Sequence, residues 1–193
     1  MNTVKCIVGL GNPGDKHSDD RHNVGFWLVD RVANIYKERF QFEKKFNAEI
    51  SKIETENGFL WLLKPMTYMN ESGRAVRDFL KFYKFSLSEI LVAHDDLDVE
   101  AGIIKLKLGG GHGGHNGLRS IINLINDKNF HRVRIGIGHP GQKSDVSDFV
   151  LSKPKKIEKE RIDASLDAFE NNLYKIQLGD FEGAMRDLHS REN

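Results

Sequence analysis

The sequence predicts an α/β fold, with a single domain in which helices flank a twisted, mixed β-sheet. The first observation is that short apolar runs alternate along the chain with segments whose apolar residues recur at helical spacing. The second is a pair of apolar runs joined around Asn57-Gly58, a dipeptide typical of an antiparallel hairpin. The third is the length of 193 residues, which suffices for one well-buried core.

Six apolar runs have the length and composition of strands. They are "VKCIVGL" (4–10), "NAEISKIE" (47–54), "FLWLLK" (59–64), "EILVAHD" (89–95), "IIKLKL" (103–108) and "RVRIGIG" (132–138). In the last run, apolar residues alternate with Arg132 and Arg134, which indicates a strand with two different faces. The hairpin pairs the second run with the third, so the sheet is predicted to be mixed rather than wholly parallel.

Helical spacing appears between these runs and again near the C-terminus. The predicted apolar faces are Leu28, Val32, Ile35 and Tyr36; Val76, Phe79, Leu80 and Tyr83; Leu118, Ile121, Ile122 and Ile125; Ile162, Leu166, Phe169, Leu173 and Ile176; and Phe181, Ala184, Met185 and Leu188. The polar segment 139–156, which ends in "LSKPKK", is interpreted as a linker or mobile loop. Residues 157–193 are then the C-terminal helices of the same domain.

The composition excludes several classes of protein. With 39% apolar residues and 18 glycines, the chain resembles an ordinary globular domain rather than a disordered one. The single cysteine, Cys6, lies in an apolar run, where we expect it to be an inert core residue in a reducing compartment. No apolar stretch is long enough to span a membrane, and the first residues lack a signal-peptide pattern. We therefore expect a cytoplasmic protein without membrane contact.

The charge is unevenly distributed along the chain. Residues 101–143 carry seven basic residues and one acidic residue, a net charge of +6, whereas the rest of the chain carries −5. Four of the eight histidines lie in the same segment. A basic cluster on an otherwise acidic protein is typical of a surface that faces a polyanion.

Two glycine-rich stretches, at 9–14 and 109–114, match G-x-G-x-x-G and raise the alternative of a nucleotide- or dinucleotide-dependent enzyme. In a dinucleotide site the helix begins inside the glycine loop. Here Asn12-Pro13-Gly14 predicts a turn, and no helical period begins before about Val24. The acid expected about twenty residues further on is Asp30, which falls within a predicted helix. No acid ends the strand that follows the second stretch.

Polar residues cluster instead at strand ends and helix starts. They are Asn12; Arg21, His22 and Asn23; Asn70; Asp95 and Asp96; and His115 and Asn116. In α/β proteins such loops gather at one edge of the sheet and form the site. Amides around a histidine and a carboxylate bind carbonyl groups and activate a water molecule. The pattern therefore predicts a hydrolase without a covalent nucleophile.

At these residues the sequence resembles the bacterial-type peptidyl-tRNA hydrolases. Seven blocks carry the resemblance in the family's order and spacing: "VGLGNPG", "RHNVG", "KPMTYMNESG", "ILVAHDDLD", "KLGGGHGGHNGL", "FHRVRIGIGHPG" and "FVLSKP". The resemblance implies hydrolysis of the ester that joins a peptide to the 3′-terminal ribose of tRNA, which recycles the tRNA. It implies no metal or organic cofactor, a monomer, and contact with the acceptor stem and 3′ end of peptidyl-tRNA.

The resemblance also implies roles for individual residues. His22 matches the catalytic histidine, and Asp95 the carboxylate that orients it. Asn12, Asn70 and Asn116 match the family's essential asparagines, and Tyr68 and His17 complete the predicted substrate-binding set. Lys107 and Arg134 match the phosphate-contacting residues, and Lys105 shares the predicted strand face of Lys107.

Two positions depart from the family pattern. His17 replaces an aromatic residue, often tyrosine, and Asp20 replaces a threonine. The charge of Asp20 is expected to raise the pKa of His22.

Other interpretations stay open at this point. Singly, Asn12 and Asn116 also fit turns, and Asn70 fits a helix cap. A zinc hydrolase would use His112 and His115 with Asp95 and Asp96, although no metalloprotease spacing is present. A third alternative is an RNA-binding module without catalysis. Four histidines are expected to be structural or solvated: His94, His112, His131 and His139.

Overall fold

The computed structural model describes residues 3–189, in which seven strands form one mixed sheet. The strands are β1 (Cys6–Gly9), β2 (Gln41–Glu43), β3 (Ala48–Thr55), β4 (Gly58–Pro65), β5 (Ile90–Asp96), β6 (Ile104–Leu108) and β7 (His131–Gly136). Their order in the sheet is β2-β3-β4-β1-β5-β7-β6. The four central strands, β4, β1, β5 and β7, are parallel, and β2, β3 and β6 pair antiparallel at the two sides. The predicted mixed α/β sheet is confirmed.

The hairpin between β3 and β4 lies where the sequence predicts it. Thr55 pairs with Gly58, so that two residues form the loop, and Gly58 has a positive φ of 95° that favours glycine. The side-chain alternation of β7 is also found, because Val133 and Ile135 are buried in the core on one side of the sheet. Arg132 and Arg134 therefore lie on its other side.

Among the described residues, seven α-helices cover both faces of the sheet. They are α1 (Val24–Ile35), α2 (Ser72–Tyr83), α3 (Asn116–Ile125), α4 (Val146–Val150), α5 (Lys156–Asn171), α6 (Leu173–Gln177) and α7 (Phe181–His189). Residues of α1, α5, α6 and α7 share one apolar core with the sheet. Residues of α2 and α3 form a second core on the opposite face. The molecule is thus a three-layer α/β/α domain.

The boundaries differ from the sequence prediction in three places. Strand β2 was not predicted, because its three residues are largely solvent-exposed and its pairing with β3 is the only pattern that marks it. The long predicted helix is two helices, with a break at Asn172, whose side-chain amide donates to the Ala168 carbonyl. The segment 139–156 contains the short helix α4. Whether that segment moves stays a prediction, and residues 190–193 of the predicted C-terminal helices lie outside the described part of the chain.

A close approach of α1 to β1 and β5 fixes the geometry of the sheet edge. A Cβ atom on Gly25 would lie 2.4 Å from the Ala93 carbonyl oxygen, and one on Gly9 would lie 2.4 Å from the Gly25 carbonyl oxygen. Glycine at both positions lets the start of α1 contact the two strands directly. The first glycine-rich stretch therefore serves helix packing.

Cys6 is fully buried, as predicted for an inert core residue, and burial raises the pKa of its thiol. Across residues 3–189, none of the helices combines the length and the apolar character that crossing a bilayer requires.

Candidate active site

A histidine–carboxylate pair lies at the carboxyl edge of the sheet. His22 belongs to a 3₁₀ turn, Arg21–Asn23, that directly precedes α1, and Asp95 is near the end of β5. The Nδ1 atom of His22 lies 2.9 Å from each oxygen of the Asp95 carboxylate. Both residues are buried, with 8% and 3% of their surface exposed. The two residues predicted to be catalytic therefore contact each other, although 73 positions separate them.

His115 is a second histidine on the same carboxylate. Its Nε2 atom lies 2.8 Å from Oδ1 of Asp95. Its Nδ1 atom accepts hydrogen bonds from the backbone N–H groups of Gly117 and Leu118, so the ring caps the N-terminus of α3. Because Nδ1 accepts, the ring proton is on Nε2, which donates to Asp95. Sequence reasoning listed His115 among the polar residues at the predicted edge and in the zinc alternative but gave it no role in the hydrolase site. Its position directly before a predicted helix was the available signal.

Asp95 and His22 shift each other's pKa. Burial alone raises the pKa of Asp95, but the two histidines outweigh this effect and hold the pKa well below its usual range. Burial lowers the pKa of His22, and the charge of Asp95 together with its hydrogen bond reverses the shift. The charge of Asp20 adds to that increase, as the sequence predicts, so the pKa of His22 is raised above 6.5. With Nδ1 bonded to Asp95, Nε2 is the ring nitrogen available to a substrate.

Asn12 is held by three hydrogen bonds in a fixed orientation. Its backbone N–H donates to Oδ1 of Asn23, and its carbonyl accepts from the Asn23 side chain. Its Oδ1 accepts from the backbone N–H of Met69 at 2.8 Å. Within residues 3–189 its side-chain NH₂ has no acceptor, so it is a free donor at the cleft. These bonds give Asn12 more than the role of a turn residue.

The remaining predicted substrate-binding residues differ in position. Asn70 and Tyr68 lie on the loop between β4 and α2, and Tyr68 is 58% exposed. Asn116 is the first residue of α3, and its Oδ1 accepts from Arg119 at 3.1 Å, which leaves its NH₂ as a donor. All three line one open cleft of about 1210 Å³ together with Asn12, His22 and Asp95. His17 is not among the lining residues.

A basic wall continues the cleft away from the histidine pair. Lys107, Arg132 and Arg134 line it, and the register pairs Lys107 with Arg132 across β6 and β7. The Nε atom of Arg134 donates to Asp96 at 2.7 Å. Lys105 pairs with Arg134 in the sheet, but its exposed side chain lies outside the lining of the cleft. Part of the predicted basic cluster therefore lines the cleft.

Arg132 is a site residue that sequence reasoning missed. It is buried, and its guanidinium donates to the carbonyls of Gly110 and Gly111, the latter at 2.6 Å. The arginine therefore orders the second glycine-rich stretch, which lines the cleft. The available signal was that Arg132 shares a strand face with Arg134. The alternation of apolar and basic residues in the sequence does not show, however, that the Arg132 side chain is buried.

The amides at the start of α3 are already in use. In a dinucleotide site such amides contact the pyrophosphate. Here the His115 ring occupies the N–H groups of Gly117 and Leu118. This arrangement disfavours the nucleotide-dependent alternative.

One cluster in residues 3–189 has the spacing of a metal site. The ligand atoms of His22, Asp95 and His115 all lie within 4.8 Å of one another. The same atoms form hydrogen bonds from the two imidazole rings to the carboxylate, so each of these atoms already has a hydrogen-bond partner. The zinc set considered from sequence is not assembled, because Asp96 binds Arg134 and His112 accepts from the backbone of Gly114.

The fold and the site together define a hydrolase with an α/β fold. The sequence profile of the family described as "Peptidyl-tRNA hydrolase" matches residues 6–193. The chain belongs to the peptidyl-tRNA hydrolase family, a family of carboxylic ester hydrolases.

Known proteins resemble the chain over nearly its whole length. It is 46% identical to the peptidyl-tRNA hydrolase of Ruthia magnifica over 190 residues, which cover 98% of this chain and 100% of that protein. It is 48% identical to the Coxiella burnetii protein of the same name over 187 residues, with 97% and 98% coverage. The crystal structure of the peptidyl-tRNA hydrolase from Acinetobacter baumannii superposes with a TM-score of 0.93 at 44% identity, covering 97% of this chain and 95% of that one.

Proposed function

We propose that this protein hydrolyses the ester bond between peptide and tRNA in peptidyl-tRNA with a water molecule that His22 activates, and without a covalent intermediate. The observation that carries the proposal is the buried His22–Asp95 pair, whose second imidazole nitrogen is available at a cleft lined by amide donors. The products are a free peptide and a tRNA that re-enters translation.

The proton moves between water, His22 and the leaving group. Asp95 accepts the Nδ1–H bond of His22, which places the lone pair on Nε2. Nε2 takes a proton from water as the water oxygen attacks the ester carbonyl carbon. The tetrahedral intermediate then breaks its bond to the ribose 3′ oxygen, which receives the proton back from Nε2. General-base assistance of this kind contributes roughly 10²–10⁴-fold in rate.

Asp95 has a second effect, on the charge of the ring. His22 carries a positive charge while it holds the water proton, and the adjacent carboxylate stabilises that cation. His115 donates to the same carboxylate and keeps it in place. A buried carboxylate with two imidazole donors therefore supports the transfer without becoming protonated itself.

The carboxamides supply the substrate contacts in this proposal. The free NH₂ groups of Asn12 and Asn116 are suited to hold the ester and peptide carbonyl oxygens, because each has its own oxygen engaged by the protein. Asn70 and Tyr68 would align the chain beyond them. A substrate that ends in an α-ammonium group places a positive charge and further N–H donors where Asn12 and Asn116 offer N–H donors. Aminoacyl-tRNA should therefore react more slowly than peptidyl-tRNA.

The basic wall supplies the tRNA contacts. We assign Lys107 and Arg134, with Lys105 at the rim, to phosphates of the acceptor stem. Contacts of this kind fix the position of the nucleic acid, and their strength falls as salt rises. We infer from the family resemblance that the active form is a monomer, which sedimentation at the assay concentration would check.

An ester-release assay tests the proposal. N-acetylaminoacyl-tRNA and aminoacyl-tRNA are incubated with the protein, with and without a chelator, and His22→Ala is compared with His131→Ala. His131 lies on β7 against Phe181, outside the cleft, and controls for the loss of an imidazole. We expect chelator-resistant cleavage of the N-acetylated substrate, abolished only in His22→Ala. Full cleavage by His22→Ala would overturn the proposal, and binding of tRNA without cleavage would favour an RNA-binding module.

A further inference from the structure

A second histidine–carboxylate pair lies beside the catalytic turn. The Nδ1 atom of His17 is 2.7 Å from Oδ2 of Asp20. Asp20 is only 6% exposed, and within residues 3–189 His17 is the one side chain that hydrogen-bonds its carboxylate. These are the two positions at which the chain departs from the family pattern of an aromatic residue and a threonine. The two departures are therefore in contact with each other.

The pair is built into the backbone that carries His22. Asp20 is the residue before the 3₁₀ turn Arg21–Asn23, and its carbonyl accepts the Asn23 N–H at 2.9 Å. Its own N–H donates to the His17 carbonyl at 3.0 Å. Backbone and side chain thus hold Asp20 in one place, two positions from the catalytic imidazole. Asp20 does not hydrogen-bond to His22 and acts on it through charge.

Several charged or titratable side chains surround the His22 ring, and the charge of Asp20 is one of those that raise its pKa. On the side of β5, His22 faces Asp95, and at the start of α3 it faces the His115 ring at a centroid distance of 5.0 Å. Arg21 directs its guanidinium to Glu158 and the Ser152 carbonyl.

Two side chains interact with the Asp20 carboxylate itself. His17 bonds to the Asp20 carboxylate. Lys153 lies at the surface and bonds to the exposed Asp19, and the charge of Asp20 also contributes to raising the pKa of Lys153. A buried carboxylate is screened by water less than an exposed one, so the charge of Asp20 acts on the His22 ring.

We propose that His17 and Asp20 act as one positioning unit for His22, in which His17 holds the Asp20 carboxylate so that it stabilises the imidazolium that forms during catalysis. The inference rests on the proposed function, in which His22 takes the water proton. Asp95 orients the ring and Asp20 adds a second negative charge without occupying a ring nitrogen. The same charge favours the protonated resting ring, so the pair moves the pH range in which the enzyme works upward.

The test follows the titration of the His22 ring by NMR, which needs no activity. Asp20→Asn keeps an oxygen that accepts from His17 and removes the charge. Asp19→Asn is the matched control, because it makes the same change at the adjacent exposed position. We expect Asp20→Asn to lower the proton affinity of His22 roughly threefold to tenfold, as expected for one partly screened charge. Asp19→Asn should change the proton affinity of His22 by less than about twofold. An equal response to both changes would overturn the inference.

A double-mutant cycle tests whether the two residues act as a unit. His17→Tyr, Asp20→Thr and the double variant restore the family pattern singly and together. We expect His17→Tyr alone to destabilise the protein, because it leaves the buried carboxylate unpaired, and the double variant to recover that stability. Additive effects on the free energy of unfolding would contradict the pairing.

The pH dependence of kcat/KM separates the two proposals. If the wild-type protein cleaves peptidyl-tRNA and Asp20→Asn shifts neither the titration nor the acid limb of kcat/KM, the positioning role is wrong while the proposed function stands. If the titration shifts but the wild-type protein releases no peptide, the proposed function is wrong and the role in catalysis falls with it, while the electrostatic coupling is retained.

Discussion

Asp95 accepts hydrogen bonds from two imidazole rings at once, from Nδ1 of His22 and from Nε2 of His115. The two rings come from different elements, the turn before α1 and the start of α3. The carboxylate at the end of β5 therefore joins three segments that are far apart in sequence. The bond to His22 and the bond to His115 each lead to a separate prediction.

Replacing Asp95 with Asn should remove most of the activity while the fold survives. An amide offers only one oxygen to the two donating rings, and when that oxygen accepts from His115 its NH₂ faces Nδ1 of His22, so the tautomer of His22 is no longer fixed. We expect kcat/KM for N-acetylaminoacyl-tRNA to fall at least ~100-fold, the lower end of what general-base catalysis contributes. The affinity for uncharged tRNA, measured by filter binding, should stay unchanged. A loss of less than tenfold would contradict the assigned role.

The activity should fall in acid with a midpoint above pH 6.5. The pKa of His22 is raised, mainly by the charge of Asp95 against the opposing effect of burial, and the proposed base is the neutral ring. The contribution of His22 to folding stability depends on pH in the opposite direction from the activity. The charged His22–Asp95 pair stabilises the folded protein below the unfolded-state pKa of about 6.5, and this contribution is lost as pH rises through the raised pKa.

Two pH series check this pair of signs. The first is kcat/KM of the wild-type protein between pH 5.5 and 9, and the second is urea unfolding of wild type and His22→Gln at the same values. The stability difference between the two proteins should shrink as pH rises. A difference that grows with pH would show that His22 has a lowered pKa in the folded protein.

Two substitutions of His115 separate its helix cap from its bond to Asp95. Asn is a good N-cap but is too short to keep the Asp95 contact, whereas Ala loses both. We expect His115→Ala to cost about 1 kcal/mol more in unfolding free energy than His115→Asn, the value of a typical cap. Both variants should lose kcat/KM to a similar degree. Full activity in His115→Asn would show that the ring serves α3 alone.

Lys107 should contribute more to tRNA binding than Lys105. Both face the same side of β6, but only Lys107 lines the cleft. For Lys107→Ala we expect the slope of log K against log salt to become less steep by roughly 0.7–0.9, the contribution of one phosphate contact. Lys105→Ala is the matched comparison, and we expect a smaller change. Equal slopes in both variants and in wild type would place the acceptor stem elsewhere.

His94 should make the protein sensitive to acid. Its Nδ1–H donates to the Asp95 carbonyl, and its Nε2 is buried without a partner among the described residues. Burial, followed by the neighbouring His115, lowers the pKa of His94 to about 3. The unfolded chain therefore binds a proton that the folded chain excludes, and stability falls as pH decreases from about 6.5 toward 3.

The unfolding free energy of His94→Asn should depend less on pH than that of wild type. Between pH 6.5 and 5 the difference is about 2 kcal/mol at most, at 1.36 kcal/mol per unit. Urea denaturation at the two pH values measures it. An unchanged pH dependence in the variant would show that His94 is protonated in the folded protein.

The fold could be predicted because its strands and helices carry strong periodic patterns. The apolar alternation of β7 and the turn before Gly58 were sufficient to place a mixed sheet. Strand β2 has no such pattern, since exposed residues at a sheet edge are under little constraint. The break at Asn172 was also invisible, because apolar spacing continues across it and only the side-chain bond to Ala168 marks it.

The site was predicted only in part, for a related reason. Polar residues after strands indicated a shared edge, and family resemblance selected His22 and Asp95 among them. His115 and Arg132 were not selected, because each acts through contacts that depend on the folded chain: one caps a helix while donating to Asp95, and the other binds loop carbonyls. The pairing of His17 with Asp20 was likewise unforeseen, although each had been noted separately.

The contact of Gly25 with the carbonyl of Ala93 makes the spacing of the reactive groups depend on a missing methyl group. Ala93 is two positions before Asp95, and Gly25 is three positions after His22, so the distance between α1 and β5 sets the distance between the His22 ring and the Asp95 carboxylate. A single added carbon at this seam would act as a wedge and separate two groups that it never touches. A side chain at residue 25 would thus cost stability as well as reactivity, and a screen that scores only soluble expression would not separate the two effects.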